Sequence, residues 1–349
     1  MKTVKIVLVA VIIGVILLFS PNFFLKSAAI NNLSDNSELK LLNNDAIAEN
    51  DTIIDLGGHK VPVVKGGMFN RFYSNSPLSV VAQERPDIDL SWFKTIQKER
   101  KNVGFITYSP NFYYSNTSIT AIYTADMEAI KNLIPTEVQE LVKSISYAPG
   151  RGLIAITSYA YHFCDNDFYN ELSISIVTTK PNKSNWGLLS LMGELNDKSL
   201  WGYVLKLPVN TELARVRGVV GYNLPKWLIP IEYNNEGENI TFTYYDEKGN
   251  LDFSMTGKKL EITNDKPEIT RSNFINLNQK GELTHGYTDV RALKKASSKK
   301  AEDIELNLSN GSLSAFIKSL GLKKLVRYDY QPEFQAALYT PELVAENQK

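Results

Sequence analysis

From Val103 onward the chain reads as strand after strand with few helices between them, and this succession limits the folds open to it more than any other feature. Leu153–Phe163 and Leu172–Thr179 are rich in β-branched and aromatic residues. In the second, Leu172, Ile174 and Ile176 alternate with Ser173, Ser175 and Val177, the period of a half-buried strand. Ile240–Asp246 and Leu251–Thr256 flank Glu247-Lys-Gly-Asn, where Gly249 and Asn250 supply a hairpin turn. Further strands are expected at Leu283–Arg291, Asp303–Leu308 and Lys324–Tyr330. Two helices interrupt them: Met127–Leu133, N-capped by Asp126 and stopped by Pro135, and Leu313–Leu320, closed by Gly321. A parallel sheet needs a crossover helix between successive strands, so the pattern predicts an α+β class, mainly antiparallel domain.

The N-terminal third reads differently. Lys2 and Lys5 precede an uncharged stretch, Ile6 to Phe19, and Ser27-Ala28-Ala29 supply small residues suited to signal-peptidase cleavage. The apolar run is 14 residues, short of the roughly 20 a spanning helix needs. Continued through Leu25 it reaches 20 with Pro21 inside. Residues 1–29 are therefore expected to be a signal peptide or an N-terminal membrane anchor, and either places the body of the chain outside the cytosol, periplasmic or secreted. Asn31 to Asn50 is rich in Asn, Asp and Ser and reads as a spacer. Asp51 to Ser79, with Gly57-Gly58 and Gly66-Gly67, contains short β-prone pieces, and Pro86–Arg100 predicts a short helix with Ile88, Trp92, Phe93 and Ile96 on one side. Residues 30–102 thus form a spacer and an N-terminal extension ahead of a main domain at 103–338, with a tail at 339–349.

Charge and motif content exclude several function classes. Lys plus Arg and Asp plus Glu balance at 38 each, so no long-range field favours nucleic acid. Cys164 is the single cysteine, which rules out an intramolecular disulfide and suits a buried small apolar side chain. There is no GxGxxG after a strand, no Walker lysine loop, no GxSxG elbow and no HExxH. His162, Cys164, Asp165 and Asp167 are the one local group of metal-ligand types, but a lone histidine beside a turn is ordinarily structural. No metal and no organic cofactor is expected.

Chemistry concentrates in Ala214-Arg-Val-Arg-Gly-Val-Val-Gly-Tyr-Asn-Leu-Pro-Lys-Trp-Leu-Ile-Pro-Ile. Lys226 stands between Pro225 and Trp227 with Leu224, Leu228 and Ile229 close by. An amine held among apolar side chains is more readily neutral, and a neutral amine can attack a ketone to form an imine. By itself such a lysine can equally send its charge out to water.

The pattern Gly218-x6-Pro225-Lys226, preceded by the run starting Ile119-Thr-Ala-Ile-Tyr-Thr-Ala-Asp and by Tyr169-Asn-Glu-Leu-Ser-Ile-Ser-Ile, and followed by the hairpin Phe242–Lys258 and Leu325-Val-Arg-Tyr-Asp-Tyr, resembles the acetoacetate decarboxylase family. The resemblance covers about Val103 to Leu338 and rests on the order and spacing of short motifs. It implies a β-barrel or cone domain that assembles into homo-oligomers. It places Lys226 on the family's imine-forming lysine and Glu171 on its active-site glutamate. It also implies that Trp227, Val219, Val220 and Asn116 line the substrate site, each as a departure. Trp227 stands where the family has a second lysine, Gly218-Val219-Val220 stands for Gly-Arg-Glu, and Asn116 falls where an arginine is expected. Fewer cations argue against acetoacetate itself and for a larger or less acidic carbonyl substrate. The expected function is decarboxylation of a β-keto acid through a lysine imine, with no cofactor. Two alternatives stay open: the same imine used for aldol or dehydration chemistry, and a non-catalytic small-molecule binding module.

Overall fold

A computed structural model describes residues 51–263 and 266–344; the leader and spacer expected over 1–50, and the last residues of the tail, lie outside the described residues. The chain opens with a hairpin of β1 (Asp51–Leu56) and β2 (His59–Val64), then two short helices, α1 (Met68–Phe72) and α2 (Leu78–Glu84), and a second hairpin of β3 (Glu99–Asn102) and β4 (Ile106–Ser109). The long strand β5 (Asn111–Asp126) leads into α3 (Met127–Lys131) and α4 (Thr136–Gln139), then β6 (Arg151–Cys164) and β7 (Tyr169–Thr178). After α5 (Leu188–Asn196), β8 (Ser199–Lys206) and α6 (Glu212–Tyr222) come β9 (Ile231–Asn234), β10 (Asn239–Tyr245), β11 (Leu251–Lys258), β12 (Glu268–Leu277) and β13 (Leu283–Ser298). The last elements are β14 (Ile304–Leu308), α7 (Ser312–Ser319) and β15 (Leu325–Leu343).

Seven strands close a barrel in the order β12-β13-β15-β5-β6-β7-β8. Neighbours are antiparallel except at the closure, where β12 runs parallel to β8 from Arg271 opposite Ser199 to Phe274 opposite Gly202. A four-stranded antiparallel sheet, β14-β11-β10-β9, packs against it. The class is α+β and mainly antiparallel, as the strand succession requires.

Period-two alternation divides the barrel wall into two faces. Leu172, Ile174 and Ile176 of β7 are fully buried and join Ile154 and Ile156 of β6, Ile119 and Ala121 of β5, and Phe242, Tyr244, Phe253 and Met255 of the small sheet in one apolar core. Burying each large side chain contributes about 1.5–3 kcal/mol. The opposite face of the same strands carries Tyr159, Tyr161, Tyr169 and Glu171, with Tyr159 opposite Glu171 and Tyr161 opposite Tyr169 across the β6–β7 ladder.

The expected caps are present. Asp126 accepts from the N–H groups of Glu128 and Ala129 at 3.1 Å each, and Gly321 follows α7 with φ +59°. Pro135 ends one helical stretch and also begins the next, since α4 starts at Thr136.

The helix expected over Pro86–Arg100 is not formed; one 3-10 turn, Phe93–Thr95, stands there. Asp89 takes the N–H and hydroxyl of Ser91, both at 2.9 Å, a local side-chain bond that competes with the helical ladder. Of the apolar residues that suggested a helix, Phe93 is buried in a cluster with Phe112, Tyr114 and Ala337, and Ile88, Trp92 and Ile96 are half-buried against it. A buried ion pair holds this segment: Lys98 Nζ lies 2.5 Å from Asp165 Oδ2. Asp165 also accepts from the Phe112 N–H (2.7 Å) and the Tyr114 hydroxyl (2.9 Å). Burial pushes the Lys98 ammonium below the ordinary lysine range, and the Asp165 carboxylate opposes that shift.

Asp167 makes a second junction. Its backbone is left-handed (φ +63°), and its Oδ1 accepts the Met68 N–H at 2.6 Å. The approach is so close that a Cβ on Gly67 would fall 2.5 Å from Oδ1. Burial pushes the Asp167 carboxyl up to about 6, while the Met68 and Phe69 N–H groups oppose the shift. A carboxyl raised by folding contributes stability below its unfolded value of ~3.9 and loses it as pH rises through the folded value. Asp167→Asn keeps the acceptor and suits the left-handed backbone. Urea unfolding should find it equal to wild type near pH 4 and more stable by on the order of 1–2 kcal/mol at pH 8; the same difference at both pH values would contradict this.

Candidate active site

Helix α6 and the segment after it build the site. Thr211 caps α6 by accepting from the Ala214 N–H (3.4 Å), and Asn223 closes it in a left-handed conformation (φ 55°). The chain then folds back along the helix: the Leu224 N–H donates to Gly218 O at 3.0 Å, and the Lys226 N–H to Leu224 O at 2.8 Å. This turn carries the Lys226 side chain across α6 at Gly218. A Cβ there would overlap Lys226 Cδ and stand 2.6 Å from Cε. The spacing Gly218-x6-Pro225-Lys226 is therefore a geometric requirement: the lysine stem needs a residue without a side chain beneath it.

A short bridge sets the distance to β7. The Val209 N–H donates to Trp227 O and the Ile229 N–H to Val209 O, both at 3.0 Å, while the Leu172 N–H donates to Pro208 O at 3.1 Å. Asn170 is fixed beside it, its N–H donating to Asn210 Oδ1 (2.7 Å) and its amide to Ile231 O (3.0 Å). The lysine segment and the start of β7 are thus tied through residues 208–210.

Across this junction Lys226 Nζ lies 2.5 Å from Glu171 Oε2, and the two side chains are only 5% and 8% exposed. The other carboxylate oxygen, Oε1, accepts from the Tyr161 hydroxyl at 3.2 Å. Lys226 Nζ sits 5.5 Å from the Tyr169 ring centroid, and the Tyr169 and Tyr113 hydroxyls share a hydrogen bond at 2.9 Å. Tyr159 stacks on Tyr161, and Tyr161 packs against both Tyr113 and Tyr169 with centroids 4.6 Å apart. Burial pushes the hydroxyls of Tyr113, Tyr161 and Tyr169 well above the ordinary range, with the Glu171 carboxylate adding to it. They stay protonated and act as donors. An amine, a carboxylate in direct contact and a cage of protonated phenols can hold a carbonyl compound, move a proton between nitrogen and carboxylate, and donate to an oxygen.

The structure brings Lys226 and Glu171 together and separates the other expected residues from them. Val220 turns to the far side of α6, against Val103 and Gly104. Asn116 is buried, its amide donating to the backbone carbonyls of Tyr113 (3.2 Å) and Phe334 (2.9 Å), so it secures strand irregularities in place of the expected arginine. The Trp227 indole lies beneath the Lys206 ammonium at 5.7 Å. Val219 lines a cleft of about 490 Å³ with Leu224, Pro225, Lys206, Asn276 and Phe316. Neither Lys226 nor Glu171 lines that cleft, which reaches the residue just before the lysine.

Sequence reasoning assigned no role to the tyrosine cage or to Arg217. The signal was there in Tyr159-x-Tyr161, which strand periodicity puts on the face of Glu171. Arg217, next to Gly218, is 1% exposed and held by neutral oxygens, Asn111 Oδ1 at 2.6 Å and Thr107 Oγ1 at 2.9 Å, with its guanidinium 5.2 Å over the Phe69 ring. The suggested metal-ligand types go to separate partners. His162 bonds Thr117, Cys164 donates to Asp167 O, and Asp165 pairs with Lys98. Among the described residues no three His, Cys, Asp or Glu side chains are placed to hold an ion.

Gly218→Ala should test the close approach. Alanine gains about 1 kcal/mol of helix propensity, while overpacking against the lysine stem costs about 1–3 kcal/mol. Net destabilisation in denaturant unfolding, with Lys226 Nζ displaced from Glu171 in the variant's crystal structure, is the expected outcome. A stabilised variant with the pair intact would show that glycine is not required.

No family model matches the chain, and no curated protein does either. Solved structures do. Acetoacetate decarboxylase from Legionella pneumophila is similar over 68% of this chain and 87% of its own, with TM-score 0.50 and 13% identity. The enduracididine biosynthesis enzyme MppR, solved in complex with pyruvate, is similar over 68% of this chain and 92% of its own, with TM-score 0.50 and 12% identity. The described residues have the acetoacetate decarboxylase-like fold.

Proposed function

We propose that this chain is an exported enzyme that binds a carbonyl compound as an imine on Lys226 and, in the simplest case, decarboxylates a β-keto acid. The observation that carries the reading is the buried contact between Lys226 Nζ and Glu171 Oε2 at 2.5 Å, inside the tyrosine cage. The pyruvate complex of MppR supports a small carbonyl compound as the class of ligand.

The chemistry starts with a proton passing from the Lys226 ammonium to the Glu171 carboxylate across their hydrogen bond. The freed nitrogen pair adds to the substrate ketone, giving a carbinolamine. Glu171 returns its proton to the departing hydroxyl, water leaves, and an iminium remains. The bond to the carboxylate then breaks, carbon dioxide departs, and the bonding pair neutralises the iminium nitrogen as an enamine. Protonation at carbon and hydrolysis release the ketone and restore the lysine. Tyr161, a donor to Glu171, orients the carboxylate throughout. Lys206, which lines the neighbouring cleft and lies over the rings of Trp227 and Phe316, is a cation that can attract a keto acid to this side of the molecule. With tyrosine rings rather than further cations around Lys226 and Glu171, a substrate with an apolar body fits better than acetoacetate.

Reductive trapping tests this. Incubation with borohydride and acetoacetate, pyruvate or longer β-keto acids should give one adduct, located on Lys226 by peptide mass spectrometry. Glu171→Gln should slow its formation by about 10²–10⁴-fold, the range of a lost general acid–base group. Lys226→Ala leaves a buried carboxylate unpaired, so the folded control is Lys226→Met with Glu171→Gln, which should give no adduct. If none of the carbonyl compounds is trapped on the wild-type chain, the imine reading is dropped. A carbonyl ligand that raises the melting temperature without an adduct would then favour a binding module.

A further inference from the structure

Helix α5 and the loop before it expose apolar side chains. The helix is nine residues long, about 13 Å. Its inner side is fixed by Glu194, whose carboxylate is buried and accepts from the Lys180 N–H at 2.9 Å and the Trp201 N–H at 3.2 Å. Its outer side carries Trp186 (72% exposed), Leu189 (66%), Met192 (58%), Leu195 (45%) and Leu188 (44%). At 3.6 residues per turn Leu188, Met192 and Leu195 lie within about 60° of one another, with Leu189 beside them, and Trp186 stands in the loop just before the helix. Single exposed apolar residues are ordinary, but a continuous group of this size marks an interaction surface.

The surrounding charge indicates what covers it. Exposed Lys180 and Lys183 lie in the same segment, Lys198 at its end is paired with Glu268 at 3.0 Å, and exposed Lys143 joins the first two because the Thr179 N–H donates to Lys143 O at 2.8 Å. Of the two acids within 180–198, Glu194 is turned inward, which leaves Asp197 exposed. A two-fold contact with a second copy would bring these lysine rims toward each other. An anionic surface would neutralise them.

We infer that the face formed by Trp186, Leu188, Leu189, Met192 and Leu195 lies in the headgroup region of an anionic lipid bilayer, with Lys143, Lys180 and Lys183 on the lipid phosphates. Among the described residues no helix is long and apolar enough to cross a membrane. The α5 axis therefore lies in the plane of the surface, the arrangement of interfacial amphipathic helices.

The test uses the full chain with vesicles of phosphatidylcholine, alone or mixed with phosphatidylglycerol, whose acyl chains carry bromine near the headgroup. Trp186 fluorescence should be quenched in the mixed vesicles and much less in phosphatidylcholine. Trp92, Trp201 and Trp227 pack against protein, so Trp186→Phe should lose most of the quenching while its unfolding midpoint stays unchanged. Lys180→Gln and Lys183→Gln should each weaken Trp186 quenching about fivefold in apparent lipid affinity. Equal quenching of wild type and Trp186→Phe would overturn the proposal. So would a Trp186 signal that follows protein concentration rather than lipid, which would assign the face to a second copy of the chain.

Discussion

The close crossing of Lys226 over Gly218, ending on Glu171, is the constraint around which the site is organised. Placing an ammonium and a carboxylate at 5% and 8% exposure costs several kcal/mol of hydration per ion, which their mutual attraction roughly repays. Two apolar residues of the same volume would serve stability equally well or better. The pair also demands a glycine in the middle of α6, at about 1 kcal/mol relative to alanine, and a three-residue bridge tying the lysine segment to β7. Stability alone does not explain so much arrangement around one contact. The chemistry proposed for the amine supplies a reason for it.

The Lys98–Asp165 pair supplies an internal comparison, since it too is buried with 2.5 Å between charged atoms. Its bonding is fuller: Lys98 also donates to Ser74 O and lies 4.2 Å over the Phe112 ring, and Asp165 also accepts from Phe112 and Tyr114. Every strong partner there belongs to the protein, and the result joins the N-terminal elements to the barrel. Lys226, by contrast, has three ammonium protons and, among the described residues, one hydrogen-bond acceptor, Glu171 Oε2, with the Tyr169 ring 5.5 Å away. Spare donor capacity on a buried amine is what a reacting carbonyl oxygen can use. The two pairs look alike in distance and burial, and what separates them is saturation.

Much of this was legible in the residues. Period-two alternation fixed β7 and its buried face, Asp126 and Gly321 marked helix ends, and Gly249 marked a hairpin, because each is a local signal with a local cause. The spacing of Gly218, Pro225 and Lys226 singled out the lysine, and the strand Tyr169–Ile176 the carboxylate, that the fold brings into contact. What failed was reasoning that needed three dimensions. Pro86–Arg100 has helical apolar spacing, yet Asp89 captures Ser91 and the segment stays irregular while packing the same side chains into one cluster. Val220 follows Val219 in sequence, but consecutive helical residues point about 100° apart, so one lines the cleft and the other meets Gly104. Reading Lys226 as an amine among apolar neighbours was incomplete for the same reason: its nearest charged partner is 55 residues away in the chain.

The substitution of tryptophan for a second lysine takes on a different meaning in the folded chain. Read along the sequence, Trp227 removes a cation from beside the reactive amine. In space it holds one, because the Lys206 ammonium lies 5.7 Å from the Trp227 ring and 4.9 Å from Phe316. The negative faces of two rings hold an ammonium without neutralising it, as a carboxylate partner would. Lys206 makes no ion pair among the described residues, so its charge remains available to an anion in the cleft it shares with Val219, Leu224 and Pro225. A positive charge is therefore kept near the lysine segment but moved out to the end of β8, where it bears on how an anionic ligand approaches. Glu171 is left as the charged group in direct contact with Lys226, and in the proposed chemistry proton transfer between the amine and that carboxylate is the step on which reactivity turns.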